Sequence, residues 1–178
     1  MTALILIDVQ RGFDDLEFWG PRNNPDAEAN IAALVQAWKG PVVQVRHDSV
    51  KPGSPLAAGT LGNTFKPELD GLEPDLMFAK TVNSAFHGEV DLHAWLKGRG
   101  ITDITVVGIS TNHCVETTAR VGGNLGYRVV VPIDATYTFD LEGLTADQLT
   151  AATVANLRGG GFAEITSTKE VLDEICPT

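Results

Sequence analysis

The sequence predicts an α/β domain with a mostly parallel, six-stranded sheet and helices on both faces. Three observations carry this. Short apolar runs rich in β-branched residues alternate with segments of helical period along the whole chain. These runs are apolar at nearly every position, as strands buried on two faces must be. Several end abruptly on a polar residue, as strands of a parallel sheet do where they open onto a ligand crevice.

The elements follow in order. "ALILIDV" (3–9) is a strand that reaches Asp8 after a run of aliphatic residues. "NNPDAEANIAALVQAWKG" is a helix, with Asn24 expected as N-cap, Pro25 at the first helical position and Gly40 at the end. Ile31, Leu34, Val35 and Trp38 share its apolar face. "PVVQVRH" (41–47) is the second strand. Residues 48–74 are rich in Gly and Pro and lack a period, and a loop that long in a compact domain is read as functional. "DLMFAK" (75–80) is the third strand, and "VDLHAWLKGRG" (90–100) a helix with Leu92, Trp95 and Leu96 inward. "ITVVGI" (104–109) is the fourth strand, leading into a helix from about His113 to Leu125. "YRVVVPI" (127–133) is the fifth. A helix capped by Thr145 closes on glycines, "FAEIT" (162–166) is a short sixth strand, and "KEVLDEI" is a terminal helix. No repeat or linker divides residues 1–178, so one domain is expected.

Composition narrows the function. Of 178 residues, 43% are hydrophobic and 20% charged, an ordinary globular balance, and the net charge is −10. That sign disfavours nucleic acid and anionic membrane as partners. No apolar run approaches the ~20 residues of a membrane span. The N-terminal stretch has no basic segment of a signal peptide, and two cysteines make no disulfide framework, so a cytoplasmic setting is expected.

Three strand ends carry chemistry. Asp8 would be partly desolvated and needs a cationic or donor partner; as a lone residue it also reads as a loop cap. Lys80 would pair with such a carboxylate or snorkel to solvent. Cys114 sits near a helix N-terminus, where backbone N–H groups favour a thiolate, although a lone cysteine is more often inert packing. Together they supply an acid, a base and a nucleophile to one crevice. Free N–H groups between Ser110 and Cys114 can hold an oxyanion. Phe13, Trp19 and Phe65 are candidates for an apolar pocket wall, with Arg46, His47 and Asp48 for polar recognition. "VGGNLGY" lacks the G-x-G-x-x-G order, so no dinucleotide cofactor is expected. His113, adjacent to Cys114, would point about 100° away from it on a helix, which leaves Asp8 as the preferred base.

"LILIDVQRGF", "FAKTVNSAF", "VVGISTNHCVETTAR" and "GYRVVVPIDAT" resemble, in this order, the isochorismatase-like cysteine hydrolases, a superfamily that includes nicotinamidases, carbamoylsarcosine amidases and isochorismatases. The resemblance covers most of the chain. It implies a Rossmann-like three-layer α/β/α sandwich, assembled as a homodimer or higher homo-oligomer. It implies an Asp8–Lys80–Cys114 triad, a cis peptide at Ile109–Ser110, and an oxyanion hole from the N–H groups of Ser110 and Cys114. Two departures matter. Nicotinamidases resemble one another in an Asp-x-His metal motif with a further His, whereas this chain has "VRHDSVKPGSPL", so no metal and no cofactor are expected. True isochorismatases resemble the family but typically have glycine where Cys114 stands. The expected activity is hydrolysis of a C–N bond in a small amide, ureide or carbamoyl compound through a Cys114 thioester. The alternatives are vinyl-ether hydrolysis with Asp8 as general acid, and a non-catalytic binding protein on the same fold.

Overall fold

In a computed structural model, which describes residues 1–176, seven strands form one sheet. They are β1 (Thr2–Ile7), β2 (Val42–His47), β3 (Leu76–Lys80), β4 (Asp103–Ile109), β5 (Arg128–Pro132), β6 (Thr136–Tyr137) and β7 (Glu164–Thr166). The order is β3-β2-β1-β4-β5-β7, with β6 paired to the far end of β4, and the pairings between these strands are parallel. The expected six strands are present. The seventh, β6, is two residues long and carries no pattern; it exists because β4 outruns β5 and leaves Gly108 and Ile109 to be paired by Thr136 and Tyr137.

The side chains of β1 show why both faces must be covered. Ala3, Ile5 and Ile7 enter one core with Val43, Val45, Val106, Leu92, Leu96, Val115 and Leu157. Leu4 and Leu6 enter the other with Ile31, Leu34, Val107 and Val171. Residues alternate between faces with period two, so an all-apolar strand feeds two cores at once. Each fully buried aliphatic side chain contributes roughly 1.5–3 kcal/mol. Helices α3 (Leu92–Gly98), α4 (Glu116–Asn124) and α5 (Ala146–Gly159) cover the first face; α2 (Ala27–Ala37) and α6 (Thr168–Ile175) cover the second. A short helix, α1 (Leu16–Trp19), follows β1. The result is a three-layer α/β/α sandwich.

Local signals explain most helix ends. The side chain of Thr145 caps α5 in a reciprocal box with Gln148, and Ser167 does the same for α6 with Glu170. The start of α2 differs from expectation. Its N-cap is Asp26 and Asn24 stands outside, at φ 47°. The Asn24 side-chain amide donates instead to the carbonyls of Asp134 and Thr136, which tie this entry to the β5–β6 connection. A tertiary demand has displaced the local cap.

Residues 48–74 are ordered by short 3-10 turns at Leu61–Asn63 and Pro67–Leu69, and by a bridge from Phe65 to Gln10. The loop folds over the exit of β1, and a Cβ at Gly62 would lie 2.2 Å from the Pro55 carbonyl oxygen. No helix among the described residues is long and apolar enough to cross a membrane.

Candidate active site

The strand order reverses between β1 and β4, and the crevice lies at their C-terminal ends, where parallel sheets bind ligands. Asp8 leaves β1 with φ 52°, a left-handed conformation that Asp tolerates better than most residues. Its N–H donates to Val45 O at 3.0 Å. Gly108 on β4 has φ 126° and pairs with Ile7; a Cβ there would fall 2.0 Å from Ile7 O. Only glycine allows the two strands to approach this closely beneath the site.

Beyond β4 the Ile109–Ser110 peptide is cis. Residues Thr111–Val115 then form one π-helical turn, with Val115 N–H donating to Ser110 O at 3.2 Å, before α4 begins at Glu116. The expected plain α-helical start near His113 is therefore replaced by a wider turn. It buries Thr111 and Val115 fully while Cys114 remains 8% exposed.

Lys80 Nζ stands at the centre of the site. It donates to Asp8 Oδ2 at 2.7 Å and to Cys114 Sγ at 3.4 Å, and lies 3.1 Å from His47 Nδ1. The Asp8 and Lys80 side chains have no exposed surface. Asp8 Oδ1 is buried without a hydrogen-bond partner among the described residues. Burial pushes the Cys114 thiol well above the ordinary range, the Asp8 charge pushes it the same way, and Lys80 opposes both. The lowering expected from a helix terminus and a nearby lysine is thus opposed by desolvation, the largest influence on this thiol, which favours its neutral form.

Ligand atoms of Asp8, His47 and Cys114 lie within 4.8 Å of one another, a donor set that would suit a metal ion. Lys80 Nζ touches all three residues, so an ammonium already occupies the middle of that set. A metal there would meet a fixed positive charge, and the residues present do not fit one.

The cavity above the cluster measures about 250 Å³ and is lined by Asp8, Phe13, Trp19, His47, Leu56, Asn83, Ser110, His113 and Cys114. Phe13 and Trp19, with ring centroids 5.0 Å apart, build its apolar wall, and Phe139 stacks on both rings from behind, at 6.1 and 5.5 Å. The Trp19 indole is held by a 2.8 Å hydrogen bond to Gly12 O. Phe65 is not part of this wall. It packs against the Leu4/Leu6 core on the opposite face of the sheet, since its bridge to Gln10 places it beside β1 rather than over the crevice. Arg46 pairs with Asp48 through two hydrogen bonds and neither lines the cavity. Leu56 and Asn83, which sequence reasoning missed, do line it; Asn83 Oδ1 lies 3.8 Å from Cys114 Sγ. His113 also lines the cavity, with Nδ1 3.3 Å from Ser110 Oγ.

A second, half-buried ionic group packs against Tyr137. Arg22 makes a bidentate pair with Glu28 at 2.7 and 2.9 Å, and its guanidinium lies 3.3 Å from the Tyr137 ring centroid. Lys66, 2% exposed, bridges Glu28 and Asp14. Burial works to raise the Glu28 carboxyl, but Arg22 and Lys66 override it and hold it at about 2.

The comparisons with known proteins agree with this architecture. Residues 2–170 match the family model "Isochorismatase domain". The isochorismatase family protein YrdC of Bacillus subtilis is 35% identical, over 99% of this chain and 97% of its own. The nicotinamidase/pyrazinamidase of Mycobacterium tuberculosis is 34% identical, over 86% of this chain and 97% of its own. Among solved structures, an isochorismatase-family protein from Chromobacterium violaceum superposes with a TM-score of 0.89 at 38% identity, covering 98% of this chain and 93% of that one. Family model, relatives and fold coincide over nearly the whole length, and the chain belongs to the isochorismatase family of hydrolases.

Proposed function

We propose that this hydrolase cleaves the C–N bond of a small amide, ureide or carbamoyl compound through a Cys114 thioester. The observation that carries the reading is the Asp8–Lys80–Cys114 cluster, with Lys80 Nζ 2.7 Å from the carboxylate and 3.4 Å from the sulfur, at the floor of a small cavity. A 250 Å³ space lies below the roughly 300–1,000 Å³ of drug-sized sites, which suits a compact substrate. That a relative is a nicotinamidase/pyrazinamidase supports amide chemistry.

The contacts of Asp8, Lys80 and Cys114 suggest the order of events. Asp8 Oδ1, the carboxylate oxygen without a partner, takes the S–H proton as sulfur attacks the carbonyl carbon. Lys80 holds the developing negative charge near sulfur and Asp8. The N–H groups of Ser110 and Cys114 receive the oxyanion. Asp8 then returns its proton to the departing nitrogen, the C–N bond breaks, and a thioester and ammonia or an amine result. A water molecule gives a proton to Asp8 and attacks the thioester. Collapse expels the Cys114 sulfur, which regains its proton from Asp8, and releases the acid.

The test is ammonia release from a panel of small amides and ureides. Cys114→Ala should cost several orders of magnitude in kcat, and mass spectrometry of the quenched parent enzyme should show acylated Cys114. A folded Cys114→Ala protein that retained most of the turnover would overturn the reading. It would favour direct hydrolysis with Asp8 as general acid. A homodimer or higher oligomer is part of the same proposal, checked by sedimentation equilibrium.

A further inference from the structure

The Asp8–Lys80–Cys114 arrangement leaves one contact unexplained, His47 Nδ1 at 3.1 Å from Lys80 Nζ. An ammonium has three N–H donors and no acceptor. The acceptors around Lys80 Nζ are Asp8 Oδ2, Cys114 Sγ and His47 Nδ1, one for each N–H. A proton on Nδ1 would set two donors face to face, so Nδ1 must carry its lone pair and the ring proton must sit on Nε2.

The backbone of His47 is held with unusual care. Its N–H donates to Gln10 Oε1 at 2.8 Å, and its carbonyl accepts from Gln10 Nε2 at 3.0 Å and Asn63 Nδ2 at 3.1 Å. Gln10 is fully buried and also binds Asn63 O at 2.9 Å. His47 and Lys80 face one another in register as the last residues of β2 and β3. Lysine is a long chain with many rotamers, and each further acceptor narrows the set of rotamers that keeps its N–H groups bonded.

We propose that His47 is a positioning residue that acts through Lys80: a neutral imidazole in the Nε2–H form whose Nδ1 lone pair holds the ammonium against Asp8 and Cys114. The charged and titratable groups around it are Lys80 from β3, Asp8 from the end of β1, Cys114 from the loop after β4, and Asp48 with its Arg46 partner on its own strand. Burial lowers the His47 pKa below 6.5, and the Lys80 charge lowers it further against Asp8 and Asp48. Both influences favour the neutral ring that the Lys80 contact requires. Protonation in acid destroys the acceptor and places a second cation beside Lys80, so activity falls as pH drops through the His47 midpoint.

The role of His47 in turnover rests on the proposed hydrolysis; its tautomer and its link to Lys80 do not. Nitrogen-15 NMR of histidine-labelled protein, with His47→Asn to assign the signal, reads the latter directly. The expected result is a neutral Nε2–H ring at pH 7, titrating below 6.5, whose midpoint rises in Lys80→Met. An Nδ1–H tautomer, or a midpoint unmoved in a folded Lys80→Met protein, would refute the proposal. In turnover of the best amide from the panel, His47→Ala should lose about 10- to 100-fold in kcat/KM, the worth of a charge-assisted hydrogen bond. His47→Asn places a carboxamide oxygen where Nδ1 stood and should restore most of that loss, with one protonation removed from the acid limb. Equal losses in both variants with an unchanged acid limb would mean that His47 only supports packing.

Discussion

Replacing Lys80 by methionine keeps an unbranched chain as far as Cε and removes the charged Nζ. The Asp8 and Lys80 side chains have no exposed surface, and Lys80 Nζ meets Asp8 Oδ2 at 2.7 Å. Removing one partner of such a pair leaves the other buried and unpaired, which costs about 3–5 kcal/mol. In a chain of 178 residues each kcal/mol lowers Tm by about 2–4 °C, so Lys80→Met should melt about 6–20 °C below the parent. The double variant Asp8→Asn/Lys80→Met has no orphaned charge and should recover much of the loss. Circular dichroism melts of the four proteins in one buffer form a double-mutant cycle. A Lys80→Met protein melting within about 2 °C of the parent would refute the reasoning. So would a double variant less stable than both singles, because either result means that water reaches the pair.

Gly108→Ala puts a methyl group 2.0 Å from Ile7 O at φ 126°, so a loss of about 3 kcal/mol or more is expected; an unchanged urea midpoint would contradict the close approach of β1 and β4. The Glu28 carboxyl has a folded-state pKa depressed from 4.5 to about 2. Its stabilisation is complete above pH 4.5 and is lost as pH falls toward 2. Glu28→Gln should therefore be less stable than the parent at pH 7, with a gap that narrows in acid, followed by urea melts from pH 7 to 3.

Much of the fold was legible because burial on two faces writes apolar runs into the strands, and β1, β2 and β4 are such runs. The polar residues at the ends of β1, β2 and β3, namely Asp8, His47 and Lys80, marked the crevice. What stayed hidden depends on contacts between distant segments. Asn24 looks like a helix cap, yet its amide is engaged 110 residues away by Asp134 O. The π turn at Thr111–Val115 has no periodic signature, because its sequence also suits an α-helix. Phe65 was drawn to the pocket by its place in a loop, whereas a backbone bridge to Gln10 decided its side of the sheet. Asn83 is a lone polar residue in a loop, and only the fold brings it to Cys114. The raised thiol pKa was equally out of reach, since it depends on how completely Asp8 and Cys114 are desolvated.

The contact of Gly108 with Ile7 bears on how this protein can change. Asp8 follows one strand and Cys114 the other, and the main-chain contact of Gly108 with Ile7 holds the two strands close. Leu56 and the surrounding loop contribute to the cavity from a different part of the chain. Phe13, Trp19, Asn83 and His113 line the cavity from the segments that carry Asp8, Lys80 and Cys114, whereas Leu56 stands on a separate loop. Drift or directed evolution can reshape the cavity at Leu56 while the spacing of Asp8 and Cys114 is carried forward unaltered.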